Sequence, residues 1–271
     1  MEEDAPQSSF MAGLPKQQVL LVAAVLVVAV LVFVSGAWKP LFEVQGNQTQ
    51  MLIIGQPSPG LEIVLDQDQS LVYYTMRDAS QLDISPAQQL EQYDVVLLDQ
   101  HLGAMPYDHS VSRQLGEELQ NFVRTGGKLV VVMDSGIYRS GPEGTVASDI
   151  ASWKANFDDL MPVECDRLPS EIGSCEVPLF FAGRIRRSDL SHDLMTGIES
   201  APSSPALPPY SVKAFDVRPI GDVVAIIEDD ASEKSFPGIV EKKKLLGKVI
   251  YFNYDPALSP GIWQNTLEYL R

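Results

Sequence analysis

Hydrophobic and polar positions follow three regimes along this chain. From Val19 to Val34 (VLLVAAVLVVAVLVFV) sixteen consecutive side chains carry no polar atom. Ser35, Gly36, Ala37 and Trp38 extend the run to the about 20 residues that cross a bilayer core. A soluble helix keeps a polar face at a period near 3.6 residues, and none exists here. Residues 19–38 are therefore expected to form a transmembrane helix behind a short N-terminal tail, 1–18, with Lys16 and Trp38-Lys39 suited to the two interfaces. A cleaved signal peptide is the alternative, since Ser35-Gly36-Ala37 has the small-x-small form of a cleavage site; the length of the run and Glu2, Glu3 and Asp4 in the tail count against it. Residues 39–50 (KPLFEVQGNQTQ) are polar and turn-rich and read as a stalk.

From residue 51 onward the pattern is one of short apolar runs. MLIIG (51–55), SLVYYTM (70–76), YDVVLLD (93–99) and KLVVVMD (128–134) are continuous rather than alternating, as strands buried on both faces of a parallel sheet must be. Between the last two, Val111, Leu115, Leu119, Phe122 and Val123 recur at spacings of three and four, which predicts an amphipathic helix over 110–127, with Ser110 as N-cap and Gly126-Gly127 as its stop. SPAQQLEQ (85–92) predicts a shorter helix and ASDIASWKANFDDL (147–160) another. VVAIIED (223–229), FPGIVEKK (236–243) and GKVIYFNYD (247–255) read as strands, and SPGIWQNTLEYL (259–270) as a closing helix. The expected fold is an α/β, doubly wound, mainly parallel sheet with β-rich C-terminal additions at one edge, residues 51–271 forming one domain.

Charge and cysteines narrow the function classes. Asp and Glu number 36 against 20 Lys and Arg, a net charge of −16, so a nonspecific grip on nucleic acid is excluded for want of a cationic surface. The two cysteines, Cys165 and Cys175, stand ten apart in a loop-like stretch and are either a disulfide or two free thiols. Asn47-Gln48-Thr49 is a formal N-glycosylation acceptor. No glycine-rich phosphate loop is present, so no nucleotide cofactor is indicated, and the expected cofactor set is none.

Several phrases taken together resemble the class I glutamine amidotransferase-like superfamily, in its membrane-anchored, non-catalytic branches, which include auxiliary proteins of ABC transport and gliding systems. They are QLEQYDVVLLD, ELQNFVRTGGKLVVVMD, SHDLMTGI (191–198) and PGIVEKKKLLGKVIYFNYDP (237–256). The resemblance implies a flavodoxin-like or amidotransferase-like domain over about 51–271. It also implies a nucleophilic cysteine after the strand LVVVMD and a histidine near the C-terminus. Met133-Asp134-Ser135-Gly136 stands at the first place and Tyr251-Phe252-Asn253-Tyr254-Asp255-Pro256 at the second, so thiol and base are both missing and glutamine hydrolysis is not expected.

Ligands of open parallel sheets bind beyond the carboxyl ends of the strands. Asp99, His101, Asp134 and Ser135 stand there and are the ligand-binding candidates; Ser135 as nucleophile with His101 as base is the catalytic alternative. Against both stands the plain reading that Asp99, Asp134 and Ser135 cap local turns. Asp99, His101, Asp108 and His109 match no compact metal-ligand spacing, so no metal is expected. His192 fits a turn. Arg184-Ile185-Arg186-Arg187 and Lys242-Lys243-Lys244 are either solvated faces or contacts for anionic headgroups or an acidic partner. The functional expectation is a single-pass membrane protein whose C-terminal, extracytoplasmic, catalytically silent domain binds a small ligand or a membrane-protein partner, an ABC-type transporter included. A membrane-tethered hydrolase using Ser135 and His101 is the alternative.

Overall fold

The computed structural model describes residues 48–141, 151–166, 168 and 172–271. Its strands are β1 (Thr49–Gly55), β2 (Val72–Arg77), β3 (Val95–Asp99), β4 (Ser110–Val111), β5 (Lys128–Val132), β6 (Tyr138–Arg139), β7 (Val163–Cys165), β8 (Leu179–Arg187), β9 (Ser200–Ala201), β10 (Tyr210–Ala214), β11 (Val217–Pro219), β12 (Asp222–Asp229), β13 (Ser235–Lys244) and β14 (Gly247–Phe252). The helices are α1 (Pro59–Gln67), α2 (Pro86–Leu90), α3 (Arg113–Arg124), α4 (Lys154–Phe157) and α5 (Pro260–Tyr269).

Ten strands form one sheet in the order β10-β8-β12-β13-β14-β5-β3-β1-β2, with β9 on β8. From β14 to β2 every neighbouring pair is parallel, and from β14 to β10 every pair is antiparallel. The sheet is therefore mixed, which corrects the expectation of a mainly parallel, flavodoxin-like one. The physical reason is connection length. Residues 230–234 join β12 to β13, and Leu245-Leu246 alone join β13 to β14, whereas a parallel return needs a crossover of a dozen residues or more. Such crossovers exist only in the first half, where α1, α2 and α3 link the parallel strands. No helix among the described residues is long and apolar enough to cross a membrane. The leading helix of the fold expectation and the single-pass localisation are thus not met among the described residues; the segment expected to span, 19–38, lies outside them.

The core lies where the pattern is most continuous. Met51–Ile54, Val95–Leu98, Leu129–Val132 and Val249–Phe252 are all fully buried. Each such aliphatic side chain contributes about 1.5–3 kcal/mol of transfer free energy. Helix α3 buries Leu115, Gly116, Leu119 and Val123. Its N-cap is Ser112, whose Oγ accepts the Leu115 amide at 3.1 Å, not Ser110, which β4 uses in pairing with Tyr138. Helix α1 starts at Ser58 with Pro59 in its first turn, an arrangement that suits a fixed φ and a missing amide. On the other side Trp263 of α5 packs edge-on against Phe252, ring centroids 5.8 Å apart.

One polar assembly and one covalent cross-link stand within this frame. Glu241, 1% exposed on β13, accepts His192 Nε2 at 2.8 Å and Tyr269 OH at 2.7 Å, and Lys248 Nζ lies 3.7 Å away over the Tyr269 ring. Cys165 and Cys175 are joined in a disulfide, S–S 2.12 Å. Closing a loop of about ten residues removes about 2.5 kcal/mol of unfolded-chain entropy. Cys165→Ser is accordingly expected to lower unfolding free energy by about that amount in urea titrations, and reductant alone to produce the same loss; coincident curves would contradict it. Five of the six basic side chains of the two runs find carboxylates or carbonyls: Arg184 with Asp230, Arg186 with Glu228, Arg187 with Glu199, Lys244 with Asp159, and Lys242 with the Asp159 and Met161 carbonyls.

Candidate functional site

Strand β1 lies between β2 and β3, so the direction in which the chain adds strands reverses at the β1/β3 boundary. In open parallel sheets it is beyond the carboxyl ends of the strands at such a reversal that ligands bind. Gly55 and Asp99 are register partners at that boundary. Gly55 holds φ +105°, and a Cβ on it would fall 2.2 Å from the Asp99 carbonyl oxygen. Only glycine satisfies both conditions. Gly55→Ala is expected to destabilise by about 2 kcal/mol or more and to displace Asp99; thermal unfolding measures the first effect, and an unchanged Tm would contradict it.

Asp99 is fully buried and its Oδ1 lies 2.5 Å from His101 Nδ1. A carboxylate only accepts, so Nδ1 carries a hydrogen. On the far edge of the ring, His101 Nε2 lies 4.0 Å from Asp255 Oδ2. Asp255 follows β14, the strand next to β5, and its Oδ1 accepts both Ser58 Oγ and the Ala257 amide at 3.0 Å. The approach to Asp255 is fixed by buried Asn253, which donates to the Phe215 and Pro237 carbonyls and accepts from the Phe215 amide and Tyr251 OH. Four elements thus converge: the end of β3, the N-terminus of α1, the turn after β14, and β10, from which Lys213 Nζ donates to the His101 carbonyl at 3.4 Å.

Burial pushes the Asp99 carboxyl up, and its bond to His101 only partly opposes this. For His101 burial pulls downward, but the Asp99 hydrogen bond and the charges of Asp99 and Asp255 outweigh it, Lys213 opposing, and the imidazole titrates above its ordinary value. The protonated ring then offers Nε2–H as a donor beside the Asp255 oxygen, an acceptor with 24% of its side chain exposed. Asp99 Oδ2 is buried without a partner, so His101 is the group through which Asp99 acts.

Of the residues expected from sequence, Asp99 and His101 come together at the end of β3, whereas Asp134 and Ser135 close a neighbouring network. Ser135 is fully buried, its Oγ accepting the Gln100 amide at 2.7 Å and its carbonyl accepting Trp153 Nε1 at 2.8 Å. It makes no hydrogen bond to His101, and a nucleophile needs both access and its base within reach. The Ser135–His101 hydrolase is corrected on that ground. Asp134 faces His109, Oδ2 to Nδ1 3.4 Å, and Asp108 is taken up by the Ala104 and Met105 amides. No group of three or more metal-ligating side chains occurs among the described residues. Sequence reasoning missed Asp255, Ser58 and Lys213. The signal for Asp255 was available, since it follows a fourth continuous apolar strand, and Ser58-Pro59 is a helix-start pair.

No protein-family model and no curated protein sequence matches the chain. Solved structures do. The beta-galactosidase from Bacillus circulans sp. alkalophilus is 15% identical with a TM-score of 0.53 over 86% of this chain and 32% of that one. The beta-galactosidase from Rahnella sp. R3 is 13% identical with a TM-score of 0.52 over 87% and 33%. The chain spans about a third of the length of these enzymes. At such identities the likeness concerns fold alone. It corrects the amidotransferase-like resemblance, and with it the silent, transporter-associated membrane domain built on that resemblance: the fold of this chain is similar to part of the chains of these beta-galactosidases.

Proposed function

We propose that this chain is the carbohydrate-recognising part of a glycosidase-like protein, with the pair His101 and Asp255 as its sugar site. One observation carries this reading: a donor, His101 Nε2–H, and an acceptor, Asp255 Oδ2, lie 4.0 Å apart beyond the carboxyl ends of β3 and β14. A hydroxyl oxygen seated between them accepts from the first and donates to the second, each at about 2.8 Å. Sugars are the ligands that present such dual-function groups in number. The beta-galactosidase fold neighbours support the same substrate class, and a β-galactoside is the first ligand to test.

The spacing also bears on chemistry. Glycosidic cleavage is flanked by carboxyl pairs about 5–5.5 Å apart in retaining enzymes and about 6.5–9.5 Å in inverting ones. His101 and Asp255 are not such a carboxyl pair, and the second carboxyl, Asp99, is fully buried behind the imidazole. In this reading the pair holds a hydroxyl, and bond cleavage falls to groups outside it.

The test is isothermal titration of methyl β-galactoside into the wild-type protein and Asp255→Asn. The amide places a donor where the reading needs an acceptor. Saturable binding by the wild type and about tenfold weaker binding by the variant are expected, the loss of one hydrogen bond to a charged group. No binding by the wild type, or equal binding by both, would overturn the reading.

A further inference from the structure

The tip of the β13–β14 hairpin departs from the preferences of its own turn. Lys244 and Gly247 are register partners, so Leu245 and Leu246 alone make the turn. Two-residue hairpin turns place φ above zero and favour Asn, Asp or Gly there. Leu245 holds φ +53°, a conformation that a bulky side chain rarely adopts. The two leucines, consecutive in the chain, are also 79% and 80% exposed. Backbone strain and bare apolar surface thus coincide at one point, and neither helps the sheet to fold.

The base of this tip is cationic, in a chain of net charge −16. Lys243 and Lys244 precede the turn, Lys248 follows it, and Lys128 of β5 is the register partner of Lys248. Burial lowers the Lys248 pKa, Glu241 opposes, and the charges of Lys243 and Lys128 add to the lowering, so these ammonium groups crowd one another. Lys244 is paired with Asp159, whereas exposed Lys243 has no ion-pair partner among the described residues. The register also fixes which end of the sheet this is. Met51, Val95, Lys128 and Lys248 form one row across β1, β3, β5 and β14, at the amino ends of these parallel strands. The hairpin tip lies beyond that row. The chain that precedes residue 48, with its apolar run Val19–Val34, joins the domain at this same end through β1, which starts at Thr49.

We infer that the Leu245-Leu246 tip is a contact site for a lipid surface with anionic headgroups. The two leucines enter the acyl boundary, and Lys243 meets a headgroup phosphate within the field of Lys128 and Lys248. An apolar point with cations at its base fits a bilayer interface, where both kinds of group are satisfied at once. A second copy of this chain docked tip to tip would instead set the same lysines against one another. Seated on lipid, the domain presents His101 and Asp255 on the far side, since the six residues of β14 alone span about 17 Å.

Tryptophan quenching by brominated lipid tests this on the full chain. Leu246→Trp is compared with Phe180→Trp, an exposed position whose register partner Lys213 reaches the His101 carbonyl at the opposite end of the sheet. With vesicles of brominated phosphatidylcholine and phosphatidylserine, the emission added by Leu246→Trp over the wild type is expected to be blue-shifted and quenched. The emission added by Phe180→Trp is expected to stay unquenched. Omitting phosphatidylserine is expected to raise the lipid concentration for half-quenching about tenfold, the effect of one or two lysines at an anionic surface. Quenching at both positions or at neither, or indifference to phosphatidylserine, would overturn the inference. So would a Leu246→Trp blue shift that appears without lipid and grows with protein concentration, the mark of a second copy on the tip.

Discussion

Replacing His101 with glutamine is expected to weaken β-galactoside binding by about tenfold to a hundredfold, from the loss of a charge-assisted donor and of its orientation. Glutamine is neutral and lacks the ring that spans Asp99 and Asp255, so it cannot be held by Asp99 while donating to the sugar. The same account fixes a pH dependence. Nδ1–H is committed to Asp99 at 2.5 Å, so Nε2 is a donor only while the ring is protonated. The His101 pKa is raised in the folded protein by Asp99 and Asp255 against the pull of burial. Sugar affinity is therefore full below the ordinary histidine value of about 6.5 and falls as pH rises through the folded value. Beyond it, Nε2 and Asp255 Oδ2 are two acceptors facing one hydroxyl. The stability contribution of the raised pKa has the same sign: present below about pH 6.5, lost as pH rises through the folded pKa. In His101→Gln both dependences should vanish; a wild-type affinity that is flat from pH 6 to 9 would contradict the assignment.

Glu241→Ala is expected to be the most destabilising single change outside the hydrophobic core, by about 3 kcal/mol. The carboxylate is 1% exposed and joins four elements: its own strand β13, Lys248 of β14, Tyr269 of α5, and His192 in the turn before Met195. His192 Nδ1 accepts the Leu194 amide at 3.3 Å, so Nε2 carries the proton given to Glu241. Alanine leaves the Tyr269 hydroxyl and His192 Nε2–H without an acceptor and Lys248 without its counter-charge. Burial opposes the charge on Glu241, but the bonds from His192 and Tyr269 and the Lys248 charge hold its pKa below the usual carboxylate value. A lowered folded pKa gives stability that is present above the unfolded value of about 4.3 and lost as pH falls through the folded one. Urea titrations of wild type and Glu241→Gln at pH 7 and pH 3 check this. The glutamine variant should lack the part of the acid loss that Glu241 carries, and identical acid losses in the two proteins would contradict it.

How much of this was legible in the residues differs between the two halves of the sheet. The strands at 51–55, 93–99, 128–134 and 247–255 are visible because burial on both faces forces unbroken apolar runs, and the sheet centre consists of them. Their continuity does not report direction. Val249–Phe252 is as apolar as Leu129–Val132 and pairs with it in parallel, yet its other neighbour, β13, is antiparallel because only Leu245-Leu246 separate them. Direction was written in connection length, not in hydrophobicity. Strand β8 escaped notice because a sheet strand whose outward side chains are Arg184 and Arg186 reads as a basic run until Asp230 and Glu228 are seen beside it. In the site, Asp99 and His101 were readable as strand-end residues. Asp255 also follows a continuous apolar strand; what no local pattern encodes is its placement beside His101, more than 150 residues away, by the β5/β14 and β3/β5 pairings.

The central claim is that His101 Nε2 and Asp255 together hold a sugar hydroxyl, and imidazole nitrogen spectroscopy addresses it directly. The chain has three histidines, so a long-range proton–nitrogen spectrum at pH 6 resolves three rings. The account predicts that adding methyl β-galactoside moves the Nε2 resonance of the ring that disappears in His101→Gln, with the rings of His109 and His192 unmoved. Saturation with the sugar while the His101 ring stays unperturbed, or movement of the His109 ring instead, would contradict it.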